Sequence, residues 1–157
     1  MDTARAIDYK RLKVTSSAFK ENGSIPVRYT CDGDDINPPL SISQVPAQTK
    51  SIAIVVDDLD APGGSWVHWV MWNIPPSTRQ VKENEAKGLQ GLNDFGRHHY
   101  RGPCPPRTGI HRYFFKIYAL NCVLDLPASA TKHDLEKVMS NNIVGFGELV
   151  GLYTRKK

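Results

Sequence analysis

Residues Tyr100–Leu120 read YRGPCPPRTGIHRYFFKIYAL and combine a rigid loop with a strand. The first half contains three prolines, which lack a backbone donor and restrain the preceding residue to extended conformations, so it cannot be a helix interior. The second half is rich in aromatic and β-branched residues, which is typical of a β-strand. Strand alternation puts His111 and Tyr113 on one face at its start. The segment therefore predicts two polar rings presented side by side on a rigid scaffold, as in a binding site.

Two other segments predict strands that are buried on both faces. Residues 51–56, SIAIVV, form a continuous β-branched run, and residues 66–74, WVHWVMWNI, are apolar on both faces of an alternating pattern. Simple alternation puts His68 on the same face as Val70 and Trp72. A histidine among large apolar side chains needs a hydrogen-bond partner there.

In the C-terminal part of the chain, the spacing of apolar residues changes from the period of a strand to that of a helix. Thr131 can cap a helix over residues 132–139, with Asp134 at its third position, and residues 143–153 are interpreted as a second helical segment. Strands first and helices last predict a mostly β protein, a β-sandwich with C-terminal helices at one end. The length of 157 residues fits one domain. We assign residues 1–13 to a basic N-terminal arm and residues 14–157 to that domain.

Composition excludes several classes of protein. The formal charge of +4 favours anionic partners, but the chain lacks the dense basic stripe with interleaved aromatics that nucleic-acid binding requires. We therefore expect no nucleic-acid partner. No run of 18 apolar residues occurs, so no transmembrane segment is expected. The N-terminus lacks the apolar core of a secretory signal, and we expect a cytoplasmic protein.

The three cysteines are odd in number and widely separated, and no C-x-x-C pair occurs. This pattern indicates reduced, mostly structural thiols. Zinc bound by His98, His99, Cys104 and His111 matches no standard ligand spacing. We expect neither a metal nor a cofactor.

The candidate functional residues lie at strand ends, where distant parts of the chain can come together. An acidic turn with Asp58 and Asp60 follows the first buried strand, His68 lies in the aromatic strand, and His111 and Tyr113 follow the proline loop. A carboxylate beside an imidazole fixes its tautomer and favours its charged form. Two structural alternatives stay open. His68 could be a core histidine bonded to a backbone carbonyl, and one aspartate could cap the turn.

At these residues the sequence resembles the phosphatidylethanolamine-binding protein family, in particular its prokaryotic Raf-kinase-inhibitor-like branch. The motifs run in order from Val14 to Arg155: TCDGDDINPPLSI, DDLDAP, WVHWVMWNIP, GLNDFG, YRGPCPP, TGIHRYFFKIYAL and ELVGLYTR. The resemblance implies a β-sandwich of two antiparallel Greek-key sheets, with C-terminal helices near a small anion-binding pocket. It also implies a set of ligand-binding residues: Asp58, Asp60, His68, Gly102, Pro103, His111 and Tyr113. Two positions depart from the family pattern, Leu59 in place of a proline and His99 in place of a glycine.

Three functions follow as hypotheses. The favoured one is a binding module for phosphorylated small molecules or phospholipid headgroups, which could modulate a protein kinase or protease partner. A phosphoethanolamine group would place its ammonium near Asp58 or Asp60 and its phosphate near the histidines. One alternative is a hydrolase using His68 with Asp58, against which no activated nucleophile is evident, so an enzyme is less favoured. The other is a protein-interaction inhibitor with a vestigial pocket. Whether the chain forms a homodimer is left open.

Overall fold

The structure is a computed structural model, which describes residues 9–107 and 109–155. Ten strands and one helix appear in this part of the chain. The strands are β1 (Lys10–Arg11), β2 (Lys13–Thr15), β3 (Gly23–Ser24), β4 (Leu40–Ser43), β5 (Ser51–Asp58), β6 (Trp66–Ile74), β7 (Gln80–Val81), β8 (Leu89–Gln90), β9 (His111–Leu120) and β10 (Ile143–Tyr153). The helix is α1 (Lys132–Met139), and a 3₁₀ turn spans Val27–Tyr29.

The strands form two sheets, so the prediction of a mostly β sandwich is confirmed. The large sheet has the order β1-β10-β9-β5-β6-β8, with β3 also paired to β10, and the small sheet has the order β2-β4-β7. Pairs within both sheets are antiparallel, except that β1 and β3 run parallel to β10. This order puts β9, β5 and β6 side by side in the middle of the large sheet.

The large sheet is covered on both faces, which explains its continuous apolar runs. One face packs against the small sheet, where Leu40 and Ile42 meet Ile54. The opposite face packs against α1 through Val55, Trp72 and Leu135, among others. All eight residues of β5 are buried, as predicted for a central strand.

The helix begins where its capping residues predict. Thr131 accepts a hydrogen bond from the Asp134 amide, and the Asp134 side chain accepts one from the Thr131 amide, which completes a capping box. An ion cluster holds its first turn to the sheet: Asp57 Oδ2 lies 2.6 Å from Lys132 Nζ and 3.1 Å from Lys116 Nζ. Asp57 is fully buried, so both lysines serve to balance a buried charge.

The prediction of a second helix over residues 143–153 is wrong, because this segment is the eleven-residue strand β10. Every second residue from Gly145 to Tyr153 is buried, as is Val150. Three of these buried residues are glycines, so the apolar period of a strand is not visible in the sequence. Neighbouring segments of the same protein occupy the space that side chains would take at these glycines. A Cβ at Gly147 would lie 2.4 Å from the carbonyl oxygen of Leu12. The family resemblance implied several C-terminal helices, but the described residues contain only one α-helix, α1.

Part of the predicted N-terminal arm belongs to the sheet. Lys10 and Arg11 pair with Gly145 and Phe146, and Leu12 is buried. The remainder of the arm, residues 1–8, lies outside the described residues. Among the residues that are described, no helix is long and apolar enough to cross a membrane.

The expectation of three reduced thiols is wrong, since Cys31 and Cys104 form a disulfide and Cys122 is free. The proline loop crosses directly over the segment around Cys31, whose amide donates to the Pro103 carbonyl at 3.1 Å. This crossing brings the two cysteine Cα atoms within 5.4 Å although 73 residues separate them in sequence. No local pattern predicts such a contact.

A β-bulge redirects His68. Residue Asp57 pairs with Val67, whereas Val56 pairs with Trp69, so β6 has one additional residue at this point. Such a bulge shifts the alternation of the strand. His68 therefore contacts Tyr113, while Val70 and Trp72 lie on the opposite face against α1. The shared face predicted for these three residues is wrong.

Candidate ligand-binding site

The ends of three adjacent strands form one cavity. Asp58, the last residue of β5, pairs in register with Trp66 at the start of β6 and with Tyr113 near the start of β9. The cavity has a volume of about 340 Å³. It is lined by Asp58, Ala61, Pro62, Trp66, His68, Phe95, Cys104, Pro105, Pro106, His111 and Tyr113. Four of the seven predicted site residues are therefore brought together: Asp58, His68, His111 and Tyr113.

Asp58 and His111 form a buried pair. His111 Nδ1 lies 2.6 Å from Asp58 Oδ2, and the side chains are only 9% and 5% exposed. The other carboxylate oxygen, Oδ1, accepts a hydrogen bond from the Asp60 amide at 2.8 Å. Because the carboxylate accepts, Nδ1 carries a proton, and Nε2 is the ring nitrogen left for a ligand. Asp58 thus orients the imidazole and also caps the acidic turn, as the turn-capping alternative proposed.

The ring of His68 is also fixed by a hydrogen bond at Nδ1, here to a backbone carbonyl. Its Nδ1 lies 2.7 Å from the Arg101 carbonyl oxygen, which can only accept, so Nδ1 donates. This contact is the one that the core-histidine alternative predicted, yet the same ring lines the cavity. Burial lowers the pKa of His68, which favours the neutral ring. In that form Nε2 is a hydrogen-bond acceptor.

Tyr113 supplies a buried hydroxyl group that lies near the Asp58 carboxylate. The residue is 1% exposed, and its hydroxyl makes no hydrogen bond with any described residue. Its ring stacks on His111 and meets the His68 ring edge to face at 5.3 Å. Burial and the neighbouring Asp58 carboxylate raise the pKa of Tyr113, so the hydroxyl keeps its proton and can donate.

Asp60 does not line the cavity, in contrast to its predicted position beside a ligand. Its carboxylate accepts hydrogen bonds from Arg112 Nε, from Nη2 and from the Arg112 amide, each at 2.9 Å. The hydrogen bonds from the Arg112 side chain are the largest cause that lowers the pKa of Asp60 to about 2. Asp60 therefore anchors the acidic turn to β9.

Gly102 and Pro103 also lie outside the cavity lining and instead fix the chain that leads to it. The Gly102 amide donates to Asp35 Oδ1 at 2.7 Å, and a Cβ on Gly102 would lie 2.1 Å from the carbonyl oxygen of Tyr29. Only a residue without a side chain fits this approach. The wall itself is formed by the next three residues, Cys104, Pro105 and Pro106.

Two aromatic residues of the cavity were missed in the sequence. Trp66 is 40% exposed and meets the Phe95 ring edge to face at 5.7 Å. Strand alternation already put Trp66 on the face of His68, a signal that could have identified it. Phe95 lies in the GLNDFG motif, where Asn93 Oδ1 accepts hydrogen bonds from the amides of Phe95 and Arg97, both at 3.0 Å. Nothing local in the sequence connects that loop with β6.

The two departures from the family pattern leave the cavity in place. Leu59 is exposed, and the turn around it is held by the bonds of Asp58 and Asp60 described above. His99 does not adopt a positive φ, so a side chain is accommodated without backbone strain where the family pattern has a glycine. It lines a separate small cavity with Asp35 and Glu85.

Known proteins with similar sequences cover most of the chain. The sequence profile of the phosphatidylethanolamine-binding protein family matches residues 15–154. A UPF0098 protein from Methanothermobacter thermautotrophicus is 47% identical over 151 residues, which cover 92% of this chain and 99% of the relative. UPF0098 protein PH1269 from Pyrococcus horikoshii is 50% identical over 154 residues, which cover 92% of this chain and 77% of the relative.

Solved structures agree with the sequence relatives. The crystal structure of CT736 from Chlamydia trachomatis, described as a homologue of phosphatidylethanolamine-binding protein, superposes with a TM-score of 0.89 at 38% identity. The match covers 94% of this chain and 99% of that one. E. coli YbcL, described as a member of the mammalian family, has a TM-score of 0.86 at 29% identity, covering 92% and 99%. By sequence and by fold, the chain belongs to the phosphatidylethanolamine-binding protein family.

Proposed function

We propose that the cavity binds the phosphate group of a small phosphate monoester or of a phospholipid headgroup. The observation that carries this proposal is the Tyr113 hydroxyl, which is buried and has no partner among the described residues. A buried polar group without a partner is costly, so such groups usually meet water or a ligand. Tyr113 lines one cavity with two imidazoles, and each imidazole has a ring nitrogen that bonds to no described residue.

The polar groups of the cavity match a phosphate that carries one proton. Tyr113 donates a hydrogen bond, the neutral His68 accepts one at Nε2, and His111 offers its Nε2 as a third contact. A monoprotonated phosphate group offers oxygen acceptors and one P–O–H donor. None of the described lining residues is lysine or arginine, so a singly charged or zwitterionic group fits better than a polyphosphate.

The ammonium of a phosphoethanolamine group would lie at the mouth of the cavity. Both carboxylates that the sequence analysis assigned to it have other partners, Asp58 with His111 and Asp60 with Arg112. The half-exposed Trp66 offers an aromatic face at this place, and cations bind tryptophan faces favourably. The residual field of Asp58 would add to this attraction.

A hydrolase is the weaker alternative. The described lining residues include no serine, threonine or lysine, and Cys104 is bonded to Cys31. A hydroxyl nucleophile of serine or threonine, a lysine amine and a free thiol are therefore absent from this part of the lining. Modulation of a kinase or protease partner rests on the family resemblance, and the cavity contributes no observation to it.

The proposal is tested by removing one oxygen atom. Tyr113→Phe deletes the unpartnered hydroxyl, and isothermal titration calorimetry with O-phosphoethanolamine measures the effect. We expect the Kd to rise about tenfold, because a hydrogen bond to a charged group contributes about 1.5–3 kcal/mol. Tyr118→Phe, on the same strand but outside the cavity, is the matched control and should bind as the wild type does. Equal affinity of the wild type and Tyr113→Phe would reject the site.

A further inference from the structure

The wall loop, which the structure describes at residues 104–107 and 109–110, borders two cavities. Pro105 and Pro106 line the candidate ligand site, and Ile110 lines a second cavity of about 550 Å³. Of the described residues of the wall loop, only Pro105 is buried, so close packing holds little of this segment. Its position depends on what ties it to the rest of the chain.

Hydrogen bonds hold the chain firmly up to the start of the wall loop but not within it. Tyr100 Oη donates to the Tyr29 carbonyl at 2.8 Å, and the Cys31 amide donates to the Pro103 carbonyl at 3.1 Å. From Cys104 onward, the described residues of the wall loop make one hydrogen bond, from Thr154 Oγ1 to the Gly109 carbonyl at 3.4 Å. The disulfide to Cys31 is therefore the principal tie of this wall of the site.

The disulfide is also open to chemical attack. Cys104 is exposed and Cys31 is half-buried, so a reductant can approach from the Cys104 side. Neither cysteine belongs to the two apolar core clusters. Breaking the bond would therefore release a surface segment and leave the packing between the sheets intact.

We propose that the Cys31–Cys104 disulfide is a site of reversible reduction by a dithiol. Reduction of this disulfide weakens ligand binding because it releases the wall loop. The inference rests on the proposed function, because it concerns the affinity of the same cavity. Pro105 and Pro106 would then no longer be held over His68 and His111. A ligand would have to order the wall loop when it binds, which lowers the affinity.

The reaction balances as thiol–disulfide exchange. A thiolate of the dithiol attacks Cys104 Sγ, the bond between the two sulfurs breaks, and Cys31 leaves as a thiolate that takes up a proton. The second thiol of the reductant then attacks the mixed disulfide and releases Cys104 as a thiol. Two electrons and two protons pass to the protein, and the reductant ends as a disulfide.

The test compares one protein in two redox states. Free thiols are counted first: we expect one in the oxidised chain, Cys122, and three after treatment with dithiothreitol. The Kd for O-phosphoethanolamine is then measured by calorimetry in both states and after reoxidation. The Cys31→Ser/Cys104→Ser double variant mimics the reduced state, and Cys122→Ser, which keeps the disulfide, is the matched control. Amide NMR spectra of β5 and β9 report whether the sheet stays folded.

We expect reduction to raise the Kd at least about fivefold, reoxidation to restore it, and the double variant to bind weakly in both conditions. Cys122→Ser should behave as the wild type does. Affinities within about twofold in both redox states overturn the inference. Loss of the folded spectrum on reduction also overturns it, because the bond would then support the whole fold. Absence of binding in the oxidised wild type is a different result, which rejects the proposed function itself.

Discussion

Asp58 and Asp60 lie two residues apart in one turn, yet their carboxylates have different partners. Asp58 is buried against His111 inside the cavity, and Asp60 is bonded to Arg112 outside it. The first sets the tautomer of a ring that we propose contacts the ligand. The second holds the turn and has no direct path to a ligand.

This difference predicts unequal effects of the same substitution. Asp60→Asn keeps the shape and two of the acceptor contacts, so we expect the Kd for O-phosphoethanolamine to change by less than about threefold. Asp58→Asn removes the charge beside His111, and we expect a loss of about tenfold or more. Calorimetry on both variants measures this. A larger effect for Asp60→Asn would restore Asp60 as a ligand contact.

His68 gives a prediction on acid stability. Burial lowers the pKa of His68 below its usual value of 6.5, so the unfolded chain binds the proton first as the pH falls. The free energy of unfolding should therefore decrease with falling pH from about pH 6.5 until the folded protein also binds that proton. His68→Asn keeps an N–H for the Arg101 carbonyl but cannot titrate.

Urea unfolding at about pH 7 and about pH 5 checks this expectation. The decrease in the free energy of unfolding should be smaller for His68→Asn than for the wild type. His133→Asn, which changes an exposed histidine of α1, should leave the decrease unaltered. The same decrease in all three proteins would contradict a buried, neutral His68.

At the scale of elements, the buried ion cluster joins α1 to the large sheet. Asp57 on β5 has no solvent exposure, and its Oδ2 contacts Lys132 of α1 and Lys116 of β9. Removing one partner of a buried ion pair leaves an uncompensated charge. The two lysines are partly exposed, so they tolerate the loss better than the aspartate would.

We therefore expect Asp57→Asn to destabilise the protein by about 2–4 kcal/mol, since two lysines lose their shared counter-ion. Lys132→Met keeps the apolar stem and leaves Lys116 beside Asp57, so we expect only about 1 kcal/mol. Urea denaturation monitored by circular dichroism compares them. A Lys132→Met effect as large as that of Asp57→Asn would show that the helix contact, rather than the charge of Asp57, determines the cost.

The crossing of two loops at Gly102 is a second element contact that can be tested. A Cβ there would overlap the Tyr29 carbonyl and lie 2.8 Å from Asp35 Oδ1. We expect Gly102→Ala to destabilise the protein by about 2–3 kcal/mol and to weaken ligand binding, because the wall loop must move. Gly109→Ala is the control: its Cβ meets nothing within 4 Å, and only its φ of 79° opposes the change. Its cost should be about 1 kcal/mol in the same denaturation experiment.

At the scale of the molecule, the central strands could be predicted because their residues carry the signal themselves. β5, β6 and β9 are rich in β-branched and aromatic side chains, and their buried faces follow from it. β10 could not be predicted, because glycines occupy three of its buried positions and neighbouring segments of the protein fill the space beside them. The disulfide and the bulge at His68 depend on pairing between distant segments. No local pattern in the sequence encodes either contact.

The residues of the candidate site also divide into those that the sequence could predict and those that it could not. Asp58, His68, His111 and Tyr113 could be selected because each is a polar residue at the end of a strand whose neighbours are apolar. Phe95 and the partners of Asp60 could not, since they depend on how loops fold over the sheet end. Three central strands ending at one edge thus supply the polar floor of the cavity, and loops from other parts of the chain supply its walls.

The most direct test of phosphate binding is an amide-resolved NMR titration of the oxidised protein. It compares O-phosphoethanolamine, inorganic phosphate and ethanolamine, each up to about 10 mM. We expect saturable shifts at Asp58, His68, His111 and Tyr113 with both phosphate-containing compounds, and none with ethanolamine alone. No saturable shift with either phosphate compound, or shifts centred away from this cavity, would contradict the account.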